Sequence, residues 1–243
     1  MKGFIDLHCH WIAGIDDGAR SFDEGVEMLR RLGALGFSQV IATPHMRPGM
    51  FENEKADLVA AFERMHEELV GTGGYETLPR VDLSSEHYCD EKVLERIFAG
   101  NGLPYPGGRA VLLEFYDVPF SAGLEARLFD LQRRGFLPVI AHPERYRTLW
   151  DAPERLERLV DLGSVALLDA CSVTGKYGSA ARKCALELLE RELYQAACSD
   201  AHRPADVDEL ERAMSIIEDR YDAAEVDFLF REGPAQILAG QVG

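Results

Sequence analysis

A sevenfold alternation of short apolar runs and amphipathic stretches predicts a single-domain α/β fold, a closed or nearly closed parallel (β/α)7 barrel over residues 1–243. Two further observations support it. No break in composition divides the 243 residues, a length that one sizeable core can serve. Histidines and acids also collect at the ends of the strand-like runs, where a parallel barrel gathers its functional side chains. A doubly wound open sheet is the alternative reading of the same alternation.

The chain opens with Gly3–Leu7, a short apolar run that leads into His8-Cys9-His10. Further strands are expected at Ser38–Thr43, Arg80–Ser84, Arg109–Glu114, Phe136–Ala141, Ser164–Asp169 and Tyr194–Ser199. Between them, apolar residues recur at helical spacing in Phe22–Leu35, Lys55–Val70, Ala122–Arg134, Pro153–Leu162, Ala180–Glu190 and Val207–Arg220. The boundaries carry chemical signals. Ser21-Phe22-Asp23-Glu24 has the pattern of a capping box, and Asp151-Ala152-Pro153 puts a proline near a helix start. Gly36, Gly135 and Gly163 each follow a helical run, where a left-handed cap favours glycine. Asn101–Gly108, rich in Gly and Pro, reads as a loop and not as a domain linker. Two late helices, Asp222–Phe230 and Pro234–Leu238, offer no clear partner site.

Bulk composition narrows the function. A net charge of −16 argues against nucleic-acid binding, which needs a basic footprint. An anionic substrate stays open, because bound divalent cations dominate the field inside a pocket. No run of 18 or more apolar residues occurs, and no basic region precedes an apolar stretch at the N-terminus. Neither a membrane span nor a signal peptide is therefore expected. The five cysteines are scattered, with no Cys-x-x-Cys and no cysteine followed six positions later by arginine. Zinc ribbons, thioredoxin motifs and the thiolate phosphatase loop are all excluded, and free thiols in a reducing cytoplasm are expected.

Strand ends hold the chemistry. Alternate side chains of a strand share a face, so His8 and His10 present two imidazoles to one point. Asp17 follows in the loop Gly14-Ile15-Asp16-Asp17-Gly18. The second strand runs out through Ile41-Ala42-Thr43-Pro44-His45, the third through Ser84-Ser85-Glu86 and the fourth through Leu112-Leu113-Glu114. The fifth ends Ile140-Ala141-His142, and the seventh ends Cys198-Ser199-Asp200-Ala201-His202. Five of the seven histidines thus stand at strand ends. Any one of these residues alone reads as a hydrogen-bonded loop side chain or half of an ion pair. Burying all of them together is costly unless cations pair them. His66, in a charged helical run, is expected to be exposed. His87 should face away from Glu86, and Cys9, between two candidate ligands, should face the core.

These segments closely resemble the polymerase and histidinol phosphatase (PHP) family, and within it the bacterial protein-tyrosine phosphatases of capsular and exopolysaccharide biosynthesis. The resemblance rests on Asp6-Leu7-His8-Cys9-His10, Asp16-Asp17-Gly18, Thr43-Pro44-His45-Met46-Arg47-Pro48-Gly49-Met50-Phe51, Leu113-Glu114-Phe115, Ile140-Ala141-His142-Pro143-Glu144-Arg145-Tyr146 and Ser199-Asp200-Ala201-His202. It implies a distorted (β/α)7, TIM-like barrel of the PHP type. It also implies a cluster of three divalent metal ions. His8, His10, Glu86 and Asp200 would bind the first. Glu86 would bridge to a second, held also by Glu114 and His142, and Asp17, His45 and His202 would bind the third. The sulfur-free N/O donor set suits Mn²⁺ first, with Fe and Zn²⁺ open.

The implied activity is hydrolysis of phosphotyrosine on a protein, a bacterial tyrosine autokinase, in the cytoplasm. Arg145, three residues after His142, is the preferred grip on the phosphoryl oxygens, with Arg47 and Arg203 as further candidates. Met50 and Phe51 would flank the mouth. The chain departs from the family at Leu168-Asp169-Ala170-Cys171-Ser172, since relatives tend to carry an amide near Asp169, and the stretch at Arg203 is shorter than in relatives. A small-molecule phosphoesterase such as histidinol phosphatase would use the same cluster. A non-catalytic metal-binding domain is a third reading, disfavoured by the complete ligand set. An amidohydrolase would show a carbamylated lysine or different histidine spacing.

Overall fold

The computed structural model describes residues 2–73, 75–115 and 122–241. Its strands are β1 (Phe4–Cys9), β2 (Phe37–Ala42), β3 (His45–Met46), β4 (Arg80–Leu83), β5 (Glu86–Tyr88), β6 (Ala110–Glu114), β7 (Leu137–Ala141), β8 (Val165–Asp169) and β9 (Tyr194–Cys198). Every ladder among the described residues is parallel, so all strands point their C-terminal ends the same way.

The strands form two sheets, β1-β2-β4 and β3-β5-β6-β7-β8-β9, and not the closed hydrogen-bonded ring that the alternation suggests. The break lies between β2 and β3 and between β4 and β5. Pro44 has no N–H to donate, so the second strand cannot carry its ladder through that point. Side chains and single bonds cover the gap: Ser85 Oγ donates to Pro44 O at 2.7 Å, and Ser84 N donates to Ala42 O at 2.8 Å. Beyond the interruption lie the two short strands β3 and β5, which begin at His45 and Glu86.

The seam between the first and last strands combines backbone and side-chain bonds. Cys9 and Ala201 form an isolated parallel bridge. Beside it the buried Asp6 carboxylate accepts from Ser199 N at 3.0 Å and from Ser199 Oγ at 2.5 Å. Asp200 N donates to His8 O, and His10 N to Ala201 O, both at 2.9 Å.

Strand alternation sorts the core into two. Leu7, Ile41, Leu112, Val139, Leu167 and Cys198 belong to an inner cluster. Their neighbours, such as Val40, Val111, Leu113, Ile140, Ala166 and Leu168, belong to the larger cluster that includes buried helical side chains. Tyr105 comes from the predicted 101–108 loop and joins the inner cluster, its hydroxyl donating to Leu7 O at 2.8 Å.

The helices Phe22–Leu35, Lys55–Gly71, Ala122–Arg133, Glu154–Asp161, Ser179–Glu190 and Pro204–Arg220 follow the expected segments. Ser21 caps the first by accepting from Glu24 N, and Gly36 ends it in the left-handed region. Glu91–Phe98 is a helix that the sequence reading missed. Asp90 caps it and Val93, Leu94 and Ile97 are buried. His66 is half-buried and not exposed, because its ring stacks on Phe62 and meets Tyr75 edge-on. Among the described residues, no helix is long and apolar enough to cross a membrane.

The C-terminal segment runs through Ala223–Asp227, a π-helical turn at Phe228–Glu232, and Gly233–Ala239. Gly233 packs directly on the backbone of β9: a Cβ there would overlap Gln195 O. Gly233→Ala is therefore expected to destabilise the protein by about 1–3 kcal/mol, since neither backbone can yield cheaply. Denaturant unfolding would measure it. An unchanged midpoint would show that the π-helical turn absorbs the methyl group.

Candidate metal centre

The C-terminal strand ends bring His8, His10, Asp17, His45, Glu86, Glu114, His142, Asp200 and His202 into four overlapping groups whose donor atoms lie within 4.8 Å of one another. The tightest convergence joins β1, β5 and the end of β9. His8 Nε2 lies 3.1 Å from His10 Nε2, 3.3 Å from Glu86 Oε2 and 3.2 Å from Asp200 Oδ1. His10 Nε2 lies 3.6 Å from the same Glu86 oxygen and 3.4 Å from the same Asp200 oxygen. For metal–N and metal–O bonds of about 2.0–2.2 Å, a tetrahedral set puts its donors roughly 3.3–3.6 Å apart. These edges, 3.1–3.6 Å, lie in that range or just below it. Asp200 Oδ1 is buried and accepts no hydrogen bond among the described residues, which leaves a carboxylate oxygen in need of a cation.

Glu86 divides its oxygens between two directions. Oε2 faces His8, His10 and also His45 Nδ1 at 2.9 Å, while Oε1 faces His142 Nε2 at 3.0 Å. Glu114 Oε2 approaches His45 Nδ1 at 4.0 Å. Asp17 Oδ1 lies 3.4 Å from both His45 Nε2 and His202 Nε2. His45 thus stands between the Glu86 and Asp17 groups, and His10 also joins Asp17 and His202. The resemblance had placed His45 in the third group alone.

Electrostatics follow from burial. Burial alone would raise the Glu86 carboxyl, but His8 and His45 beside it hold it well below its ordinary range. Glu114 goes the other way: burial and the Glu86 charge push it up to about 7. Burial would lower His45, yet Glu86 and Asp17 raise it to about 11. A cavity that concentrates this many acids and imidazoles is suited to divalent cations.

The backbone aims these donors. His142 has φ 34 and ψ 56, and Asp200 has φ 43, left-handed conformations that non-glycine residues seldom adopt. Asp16 orients the first loop. It accepts from the His10 ring at Nδ1 (2.8 Å), from Gly18 N (2.8 Å) and from His45 N (3.1 Å). With a proton on Nδ1, the lone pair of His10 Nε2 faces the centre. The His202 ring likewise uses Nδ1 on Asp200 O at 2.9 Å. The sequence reading left Asp16 without a role, although its place beside Asp17 was visible.

Gly18 lies against the His10 backbone, where a Cβ would overlap His10 O and come within 2.5 Å of His10 Cβ. Gly18→Ala is expected to displace the Asp17 loop and lower metal content and turnover by about tenfold or more, on the scale of other lost supports of metal ligands. Metal analysis after gel filtration would check it. Full occupancy would mean that the loop shifts without moving Asp17 or His10.

His87 is not part of the cluster. Its buried ring bonds Leu112 O through Nδ1 and accepts from Leu103 N through Nε2 at 3.0 Å. Cys9 is fully buried, and all five cysteines are free thiols.

A cavity of about 390 Å³ opens over the cluster, and Arg47 and Arg145 line it with Met50 and Phe51. Arg145 grips Asp200 Oδ2 with both terminal nitrogens, at 2.7 and 2.6 Å, and Asp169 Oδ2 at 3.3 Å. Its guanidinium stacks 4.4 Å from the centre of the Tyr177 ring. Asp169, which the sequence left without a role, is thus a buried support for Arg145. Arg47 contacts both Glu114 oxygens at 3.2 Å and stacks on Tyr88. Phe51 lies parallel to the His45 ring, centroids 5.0 Å apart, while Met50 is 60 % exposed at the rim.

Arg203 is elsewhere. Its guanidinium donates to the carbonyls of Asp17, Gly18 and His202, and it does not line the cavity. Three backbone acceptors converge on it, and a residue directly after His202 could not reveal that from sequence.

The fold and the cluster define a parallel α/β protein whose strand ends carry a candidate multinuclear metal site. The family described as capsular polysaccharide synthesis, CpsB/CapC, matches residues 4–239, and the chain belongs to that family. The tyrosine-protein phosphatase YwqE of Bacillus subtilis (strain 168) is 30% identical over 242 residues, covering 98% of this chain and 92% of YwqE. The tyrosine-protein phosphatase CpsB of Streptococcus pneumoniae is 27% identical over 247 residues, covering 98% and 99%. A solved structure from the work on YwqE and CpsB, described as unique metal-dependent tyrosine phosphatases, superposes with a TM-score of 0.85 at 28% identity. It covers 98% of this chain and 95% of its own.

Proposed function

We propose that the protein is a metal-dependent protein-tyrosine phosphatase acting in the cytoplasm on a bacterial tyrosine autokinase of capsular or exopolysaccharide synthesis. One observation carries it. Four buried donor atoms of His8, His10, Glu86 and Asp200 converge at metal-ligand spacing beneath a cavity lined by Arg145. The relatives' named activity and near full-length coverage support the choice of substrate class. The strands are read as a distorted (β/α)7, TIM-like barrel in one domain, supported by the inner cluster and the Asp6–Ser199 seam.

In this reading His8, His10, Glu86, Glu114, His142, Asp200, Asp17, His45 and His202 hold three divalent ions, Mn²⁺ in preference to Fe or Zn²⁺. Bound there, such ions supply a water of lowered pKa and polarise phosphoryl oxygens. The chain's own residues do the rest. Asp16 keeps the His10 imidazole in the tautomer that presents Nε2. Arg145, held on Asp200, Asp169 and Tyr177, is pre-oriented to donate to phosphoryl oxygens, and Arg47, held on Glu114, is the second donor. Phe51 and Met50 form the wall against which a tyrosyl ring packs. A phenolate leaving group, with a pKa near 10, needs less protonation than an alkoxide.

The test compares a phosphotyrosyl peptide with histidinol phosphate, using Mn²⁺-loaded and chelated protein. Chelator-sensitive preference for the peptide is expected, and preference for histidinol phosphate would move the function to small-molecule metabolism. Metal removal should also lower the melting temperature, by about 5–10 °C for each ion present at roughly a hundred times its dissociation constant.

A further inference from the structure

We infer that Lys176 supplies a third cationic contact to the phosphoryl group, in the place that sequence had assigned to Arg203. The inference rests on the phosphatase reading for its substrate and on the cavity for its geometry. Among the described residues that line the cavity, the arginines and lysines are Arg47, Arg145 and Lys176.

The turn that presents Lys176 is built, not loose. After β8 the chain makes a 3-10 turn, Ala170–Thr174, and Thr174 Oγ1 ties back to Cys171 O at 2.9 Å. Gly175 and Gly178 then take φ 94 and φ 96, left-handed values that let the backbone double back around residues 176 and 177. Gly178 N closes the turn on Gly175 O at 2.9 Å. As a result the Tyr177 ring is in contact with two cations, with Arg145 4.4 Å and Lys176 Nζ 5.2 Å from its centre. Lys176 therefore belongs to the same wall as the arginine already assigned to the phosphoryl group.

Its state of pairing sets it apart from the two arginines. Arg145 and Arg47 each engage a cluster carboxylate through two contacts. Among the described residues Lys176 Nζ makes one ion pair, with Asp206 Oδ1 at 2.7 Å, on the first turn of the helix Pro204–Arg220. The other Asp206 oxygen accepts from His202 N and Arg203 N at 2.9 and 2.8 Å, so the carboxylate is fixed while the flexible lysine is not. A phosphate dianion entering the cavity meets an ammonium that can swing from Asp206 to it without breaking the protein's own loop structure. Asp206 is accordingly a brake on phosphate binding, because it competes for the same charge.

Two substitutions of opposite sign test this on the Mn²⁺-loaded full chain, with inorganic phosphate as the probe, read by calorimetry. Lys176→Met should weaken phosphate binding about tenfold and raise KM for p-nitrophenyl phosphate in parallel, with Lys176→Arg restoring most of it. Asp206→Asn keeps an oxygen for the two backbone donors and should tighten phosphate binding about two- to threefold. A structural role for the pair would move both variants in the same direction. Equal phosphate affinity in wild type and Lys176→Met overturns the inference. So does an effect confined to KM for a phosphotyrosyl peptide, which would place Lys176 on the peptide flank. Absence of turnover in wild type with Lys176-dependent phosphate binding would instead overturn the phosphatase reading and leave this one standing.

Discussion

Arg145→Ala is expected to lower turnover of a phosphotyrosyl peptide by about 10²–10³-fold while leaving bound metal in place. The arginine touches Asp200 through Oδ2, whereas the His8 and His10 nitrogens face Oδ1. Removing the guanidinium therefore strips a donor from the cavity wall without withdrawing the oxygen that faces the histidines. Steady-state kinetics beside metal analysis separates the two effects. Full activity would end the assignment of Arg145, and a coupled loss of metal would recast it as a support for Asp200. Arg145→Lys should recover little, since a point charge cannot span Asp200, Asp169 and a phosphoryl oxygen together.

The second large effect concerns Glu86. Its carboxylate faces three histidines through one oxygen and a fourth through the other, so it is common to two of the donor groups. Glu86→Gln keeps the volume and one oxygen but removes the anion. Metal content is expected to fall to about half or less, with turnover down by more than about 100-fold. Elemental analysis after dialysis, alongside peptide hydrolysis, reads both. Turnover within tenfold of wild type and full metal content would show that Glu86 is a hydrogen-bond partner of His142 and nothing more.

Much of this arrangement is legible in the chain. The strands β1, β6, β7, β8 and β9 coincide with apolar runs to within a residue or two, because each is buried on both faces and bounded by glycine or polar residues. The convergence of His8, Glu114, His142 and Asp200 follows from parallel topology alone. The short strands β3 and β5 are not legible, since two or three residues beyond Pro44 and Ser85 carry no periodicity of their own. The open ring has the same origin. Glu91–Phe98 had a signal, Asp90 followed by apolar Val93, Leu94 and Ile97, but it is a short segment beside a Gly- and Pro-rich loop. Arginine roles were the hardest to read. Arg145 follows His142 by a tight 3-10 turn that holds its direction, whereas Arg203 is captured by carbonyls 185 and 186 residues away in sequence. Lys176 enters the cavity only through the left-handed Gly175 and Gly178, which no charge pattern announces.

The seam between β1 and β9 has a consequence for how the molecule comes into being. Asp6 and Ser199 are 193 residues apart, and the candidate ligands run from His8 to His202. A nascent chain released as far as His142 presents two imidazoles on an edge whose closing partner has not been made. Of the four donor groups, the two that include Asp200 or His202 cannot form until the last strand has been made, whereas His8–Glu86–His142 and His45–Glu86–Glu114 need nothing beyond His142. Full cation uptake therefore waits on β9, and a fragment ending before Asp200 keeps β1 paired with β2 but has neither its other neighbour nor a complete site.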